Sequence, residues 1–413
     1  VSVEIQSQNA WWERASRALR HPNYQRYFMA QVPLLVGTWI HSIALGWLMW
    51  RLSGSPWMLG VLAVCDLGPT FLLSPFVGTV IDRTDLRKLL IAIQAGFVLL
   101  VGILIVATLT DTITIPLLIG ITLGIGILAA FDNPARQVFV AELVGPDDLR
   151  NAIALNTMLF NLARLIGPAI GGAVVATAGE GWCFVLKAIA YLPMLFVLIR
   201  MRPPQRIALE RQSFFKEMLE GFAFVRHHPE MGRLLILVAT CSFCSVPYFY
   251  FLPALVRDML GQDADAAGLL MSLTGLGAIL AAIMLTVRDR LDQLRVFPAW
   301  SALALGLVLI GMGFSGTYWI TALLALPLGF SILSQNLSSN TMLQHFAPSG
   351  LRGRIMAMYS MMLLGTVPLG SLLAGALGAS FGMPVTFIAG GALCSAVGIA
   401  LALTHGKAPP VSA

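Results

Sequence analysis

Twelve long apolar runs follow one another along this sequence, separated mainly by short polar connections. A helix needs about 20 apolar residues to cross the hydrocarbon layer of a bilayer. No water is present there, so every backbone N–H and C=O must be paired inside the segment itself. The runs lie near 27–50, 57–81, 88–109, 113–131, 152–176, 182–200, 233–256, 266–287, 295–313, 317–339, 355–378 and 383–404. Of the 413 residues 57% are hydrophobic and 11% charged, where a soluble domain carries roughly 25% charged residues. A secreted disulfide scaffold, a nucleic-acid-binding module and an ordinary cytosolic enzyme are excluded. The fold class expected is an all-α polytopic membrane protein with twelve transmembrane helices.

The basic residues set the expected orientation. Of 26 Lys and Arg, 22 fall in the two tails and the even-numbered connections, and only Arg51 and Arg257 lie on the other side. Positive charge stays on the cytoplasmic side, so both termini are expected there. Residues 11–20 place Trp11, Trp12, Ala15, Ala18 and Leu19 on one helical face, with Arg14, Arg17 and Arg20 on or beside the other. That pattern suits a helix lying on a membrane surface. The apolar run that follows is too long for a signal-peptide core and lacks a small-residue cleavage pattern. The five cysteines are odd in number and lie inside apolar runs, which argues against a disulfide framework. Cys241 and Cys244 have the spacing of a metal pair but no other ligand near them in sequence, so no metal is expected.

The chain also repeats itself. Asp82-Arg83 follows the second run and Asp289-Arg290 the eighth; Pro146-x-x-Leu149-Arg150 precedes the fifth and Pro348-x-x-Leu351-Arg352 the eleventh. Residues 201–232 between the halves are polar and basic, with an amphipathic stretch near 214–225. The division expected is a cytoplasmic segment over 1–26, a six-helix bundle over 27–200, a linker over 201–232, a second bundle over 233–404 and a tail over 405–413. Such repeats are how many secondary transporters are built.

Three segments carry a family resemblance. The loop Gly78-Thr79-Val80-Ile81-Asp82-Arg83-Thr84-Asp85-Leu86-Arg87-Lys88 resembles the cytoplasmic signature of the major facilitator superfamily, departing from it at Asp85 and Leu86. There Gly78 would allow close helix approach, and Asp82 would accept bonds from a helix N-terminus of the facing half. The resemblance makes Gly78, Asp82, Arg83 and Arg87, with Asp132 and Arg136, a conformational switch. Gly167-Pro168-Ala169-Ile170-Gly171-Gly172 is similar to the signature of the antiporter branch. Its glycines allow packing at backbone distance, and Pro168 removes one helical hydrogen bond. The block from Phe131-Asp132-Asn133-Pro134-Ala135-Arg136 through Asn156 and Asn161 to Gly179-Glu180-Gly181-Trp182 resembles the bacterial branch of siderophore exporters and related efflux proteins. Two pseudo-symmetric six-helix bundles, export, a place in a bacterial inner membrane and a monomeric state are what this implies.

Ionisable groups inside spans are costly and usually functional. The first half has His41, Asp66, Arg164 and Lys187; the second has only neutral polar groups such as Gln335, Asn336 and Asn340. Asp66 lies nine residues into its span, roughly 14 Å deep, and Arg164 is near mid-membrane too. If they face each other, two readings stand: Asp66 carries the coupled proton, or the two form a permanent structural pair. His41 is a candidate relay or a packing histidine. Arg164 suits a carboxylate or catecholate, while Lys187, five residues into its run, is placed to snorkel outward. The resemblance makes the first, fourth, seventh and tenth spans the cavity wall. This assigns cargo contact to Trp39, Tyr248, Tyr250, Gln335 and Asn336, within an aromatic stretch that includes Phe243, Phe249 and Phe251.

The expectation is a secondary transporter exporting a small organic molecule, such as a siderophore, another anionic or aromatic metabolite or a drug. It would use the proton gradient and no cofactor, with cargo and lipid bilayer as its only partners and no nucleic acid. Proton- or sodium-coupled uptake and a lysophospholipid flippase are the alternatives. No His-Glu-x-x-His motif and no Ser/His/Asp arrangement points to an enzyme.

Overall fold

A computed structural model describes residues 16–201, 222–286, 296–348 and 351–405. The described residues are almost wholly helical. In chain order the long helices are α1 (Pro22–Ser53), α2 (Pro56–Arg83), α3 (Leu86–Leu109), α4 (115–144), α5 (146–178) and α6 (Glu180–Arg200). The second half has α7 (Pro229–Met259), α8 (Ala264–Thr286), α9 (Phe297–Phe314), α10 (Tyr318–Phe346), α11 (Arg352–Phe381) and α12 (Met383–His405). Proline stands in the first turn of α1, α2, α4, α7 and α9, where its missing N–H costs no helical bond. At α3 the Asp85 carboxylate accepts the Lys88 N–H at 3.1 Å, a side-chain cap of the kind that satisfies an otherwise unpaired donor. α7 and α11 each shift register at one residue, Val246 and Thr366, with Pro247 and Pro368 following.

The fourth and fifth spans differ from the expectation. They form one helical rod, Ile115–Ala178, broken only at Gly145 (φ 70°, ψ 176°). A positive φ suits glycine, and Pro146 ends any continuation of the preceding helix. α4 therefore runs past the expected end at 131, and Asp132 and Arg136 sit within it and not in a turn.

α1–α6 form one bundle and α7–α12 the other; α5 packs on α8, and α2 on α11. One end of the molecule is poor in charge. There Arg51 pairs with Glu180 at 2.8 Å, and Arg257 pairs with Asp263. Cross-half contact is closest toward this end. A Cβ on Gly172 would lie 3.0 Å from the Gly268 Cα, and one on Gly375 would lie 3.4 Å from the Gly60 Cα. At the opposite, basic end a Cβ on Gly78 would meet nothing within 4 Å.

At the N-terminus, the described part of the expected surface helix is a single 3-10 turn, Arg17–Arg20. It is strapped to the start of α5: Arg17 Nε and His21 Nε2 lie 2.6 and 2.8 Å from the Asp148 carboxylate, and Ala18 N–H donates to Asn151 Oδ1 at 2.8 Å. Residues 11–15, most of the linker with residues 214–221 of its amphipathic stretch, Asp289-Arg290 and the tail beyond His405 lie outside the described residues.

Candidate functional site

The polar groups of the membrane interior fall into two sets. The first is a sealed cluster within the first bundle. Arg136 Nε donates to Asp132 Oδ2 at 2.7 Å, one helical turn apart, and Nη1 donates to the Tyr27 hydroxyl at 3.1 Å. Gln94 Nε2 donates to the other Asp132 oxygen at 3.0 Å. This ties α1, α3 and α4 together. Sequence reasoning missed Gln94 and Tyr27, although a glutamine inside the third apolar run was a visible signal. Arg87 is likewise committed inside this bundle: its guanidinium donates to the Leu198 carbonyl at 2.7 Å and to the Ile199 carbonyl. It caps the end of α6, where unpaired carbonyls favour a cation. Asp132, Arg136 and Arg87 thus bind partners in their own half, and Gly78 meets nothing.

The second set lies between the bundles, where α7 crosses α1 and α2. The Tyr250 hydroxyl donates to Asp66 Oδ2 at 2.8 Å. Its neighbour Phe249 places its ring 5.0 Å from the Arg164 guanidinium carbon. Trp39 approaches the same guanidinium at 5.8 Å and stands edge-on to Phe160 at 5.5 Å. Asp66 and Arg164 are therefore not a pair; each is met by a different aromatic side chain of the facing half. Tyr248 and Phe251, on the other face of α7, are buried in the second bundle, Tyr248 against Phe249 and Phe387. Tyr248 is thus a packing residue. The aromatic stretch splits: Phe249 and Tyr250 meet the first bundle, while Tyr248 and Phe251 are buried on the other face of the helix.

Lys187 does not snorkel. It is 3% exposed, 5.8 Å from the centre of the Tyr191 ring, because α6 begins at Glu180 and carries the lysine deeper than its run implied. No ion pair reaches it among the described residues, although it interacts electrostatically with Asp66. His41 is 4% exposed and edge-on to Phe184, with neither ring nitrogen partnered. Gln335 is buried and donates to Ser339 at 3.2 Å; Asn336 is partly buried, and its carbonyl accepts from Tyr359. The cysteines are free thiols, Cys241 and Cys394 buried and Cys244 partly buried.

The glycines around Pro168 serve two seams. Gly167 and Gly171 face Trp39 and Ile40 of α1, while Gly172 faces Ala264 and Gly268 of α8. The first seam is internal to a bundle and the second joins the bundles.

Comparison with known proteins decides the family. The family model described as transmembrane secretion effector matches residues 15–411. The chain belongs to the transmembrane secretion effector family. It is a transporter of the major facilitator superfamily, and its relatives are transporters too. The staphyloferrin A transporter of Staphylococcus aureus is 26% identical over 364 residues, covering 87% of this chain and 91% of that one. The enterobactin exporter EntS of Escherichia coli O6:K15:H31 is 27% identical over 386 residues, covering 90% and 89%. Among solved structures, the fold is shared with an inward-facing, unoccupied bacterial homologue of the lysosomal transporter Spinster (TM-score 0.72, 13% identity, 94% and 99% covered). It is shared also with the nucleoside transporter NupG (0.73, 15%, 94% and 100%).

Proposed function

We propose that this transporter expels a small organic molecule from a bacterial cell in exchange for protons entering through Asp66. The observation that carries this reading is the Tyr250–Asp66 hydrogen bond, a carboxylate inside the membrane held by a hydroxyl from the other bundle. A bond to an ionised carboxylate is about twice as strong as one between neutral groups. Protonation of Asp66 therefore loosens α7 from α2 and favours rearrangement of the halves. The positive-inside rule places the basic end, and with it both termini, in the cytoplasm. The glycine seams hold the halves together toward the charge-poor end, which supports loading of cargo from the cytoplasmic side in this state. One chain supplies both halves, so a monomer suffices. The proton gradient supplies the energy and no cofactor is required. Two relatives are named for siderophores, which supports a siderophore or a similar metabolite as cargo.

The test compares the small molecules of cells and spent medium by mass spectrometry in three strains: deleted, complemented with wild type, and complemented with Asp66→Asn. Export by proton exchange predicts a compound retained by the deletion strain and released by wild type but not by the variant. A compound left in the medium by the deletion strain would instead mean uptake. Full release by Asp66→Asn would refute the role of Asp66.

A further inference from the structure

Arg164 is a cation without an anion. Its Nε is buried with no hydrogen-bond partner, and the indole Nε1 of Trp39, beside it, is in the same condition. Both groups are donors only, so a single acceptor between α1 and α5 would serve the pair. Three carboxylates of the first bundle have other partners: Asp66 has Tyr250, Asp132 has Arg136 and Glu180 has Arg51. Among the described residues no ion pair reaches the guanidinium. Its only partners are the faces of Trp39 and Phe249. A water molecule would answer the hydrogen bonds and leave the charge uncompensated in a low-dielectric interior, where an unpaired charge is costly. An oxyanion answers both needs. The residue is only partly buried, so it can be reached, and a planar guanidinium grips a carboxylate through two parallel bonds.

Resting on the transport reading above, we infer that Arg164 and Trp39 form the recognition site for a carboxylate carried by the cargo, and that Phe249 caps this site when it is empty. The cap comes from the second bundle, whereas the donors belong to the first. The ring occupies the guanidinium through a cation–π contact, which is weaker than a bidentate ion pair and yields to it. The class of cargo that follows is a small organic acid with a flat group to set against Trp39 and Phe160.

The experiment uses purified full-length protein in nanodiscs and equilibrium binding of salicylate against its neutral amide, salicylamide. Wild type should prefer salicylate at least tenfold. Arg164→Gln should erase the preference, Trp39→Phe should weaken salicylate binding severalfold, and Phe249→Ala should tighten it. Melting temperatures identify variants that fail to fold, and Trp39→Phe keeps the test intact if Arg164→Gln is one of them. Equal binding of the two probes, no binding of salicylate, or an unchanged preference in Arg164→Gln would overturn the site; weaker salicylate binding by Phe249→Ala would overturn the cap. Asp66→Asn should still bind salicylate with the same preference. Binding without proton-driven export therefore sinks the transport reading alone.

Discussion

Adding one methyl group at Gly172 should convert the closed seam into a wedge. A Cβ there would lie 2.5 Å from the Ala264 carbonyl oxygen and 3.1 Å from the Asp265 Cα, all of it backbone that cannot rotate away. Overpacking of a tight contact costs about 1–3 kcal/mol. The contact joins α5 to α8, hence the two halves, and exists only while the charge-poor end is shut. The penalty therefore falls on this state and spares the opposite one, shifting the equilibrium between them by about 5- to 150-fold. A protein held ten to one in this state would drop to between about two to one and one to fifteen. Gly60→Ala acts on the second seam, where its Cβ would lie 2.6 Å from the Ser371 carbonyl oxygen. Distant sites add, so the double variant should shift further. Spin labels report the change on a background lacking the five native cysteines. Distances between labels at Thr177 and Gln262 should lengthen, and those between labels at Thr84 and Gly353 should shorten. Unaltered distance distributions, with normal melting temperature and transport, would refute the reasoning.

Arg136→Met leaves Asp132 buried without its cation and should cost about 3–5 kcal/mol; the double variant with Asp132→Leu should recover most of it, read by thermal unfolding in detergent. Glu180→Gln breaks a bond whose arginine is 45% exposed, so solvent screening limits the loss to about 1 kcal/mol or less. A shift of more than a few degrees in melting temperature would contradict that.

The number of spans was legible because a run of about 20 residues must be predominantly apolar whatever its neighbours do. The Gly167-Pro168 segment was legible because only glycine permits a backbone to approach a backbone, and Gly172 does meet Gly268. The partner of Asp66 was not. Helices apolar on all sides carry no pattern that sets their rotation, so depth alone made Arg164 as eligible as Tyr250. The length of α4 was hidden for the opposite reason. Asp132 and Arg136 end the apolar run, yet neither breaks a helix, and each is neutralised by the other one turn away. Lys187 was misplaced because its depth follows from where α6 starts, which Glu180 and Arg51 fix by pairing across the bundle.

The strap at the N-terminus has a consequence for how the protein is made. Ala18 emerges from the ribosome 133 residues before Asn151, its hydrogen-bond partner. At about 5–20 residues per second this is a wait of roughly 7–27 seconds. During that interval α1 through α4 enter the membrane while the segment at Arg17 has no dock. The strap closes only once the start of α5 has been synthesised, so its formation marks the stage at which the first bundle can begin to assemble around its fifth helix.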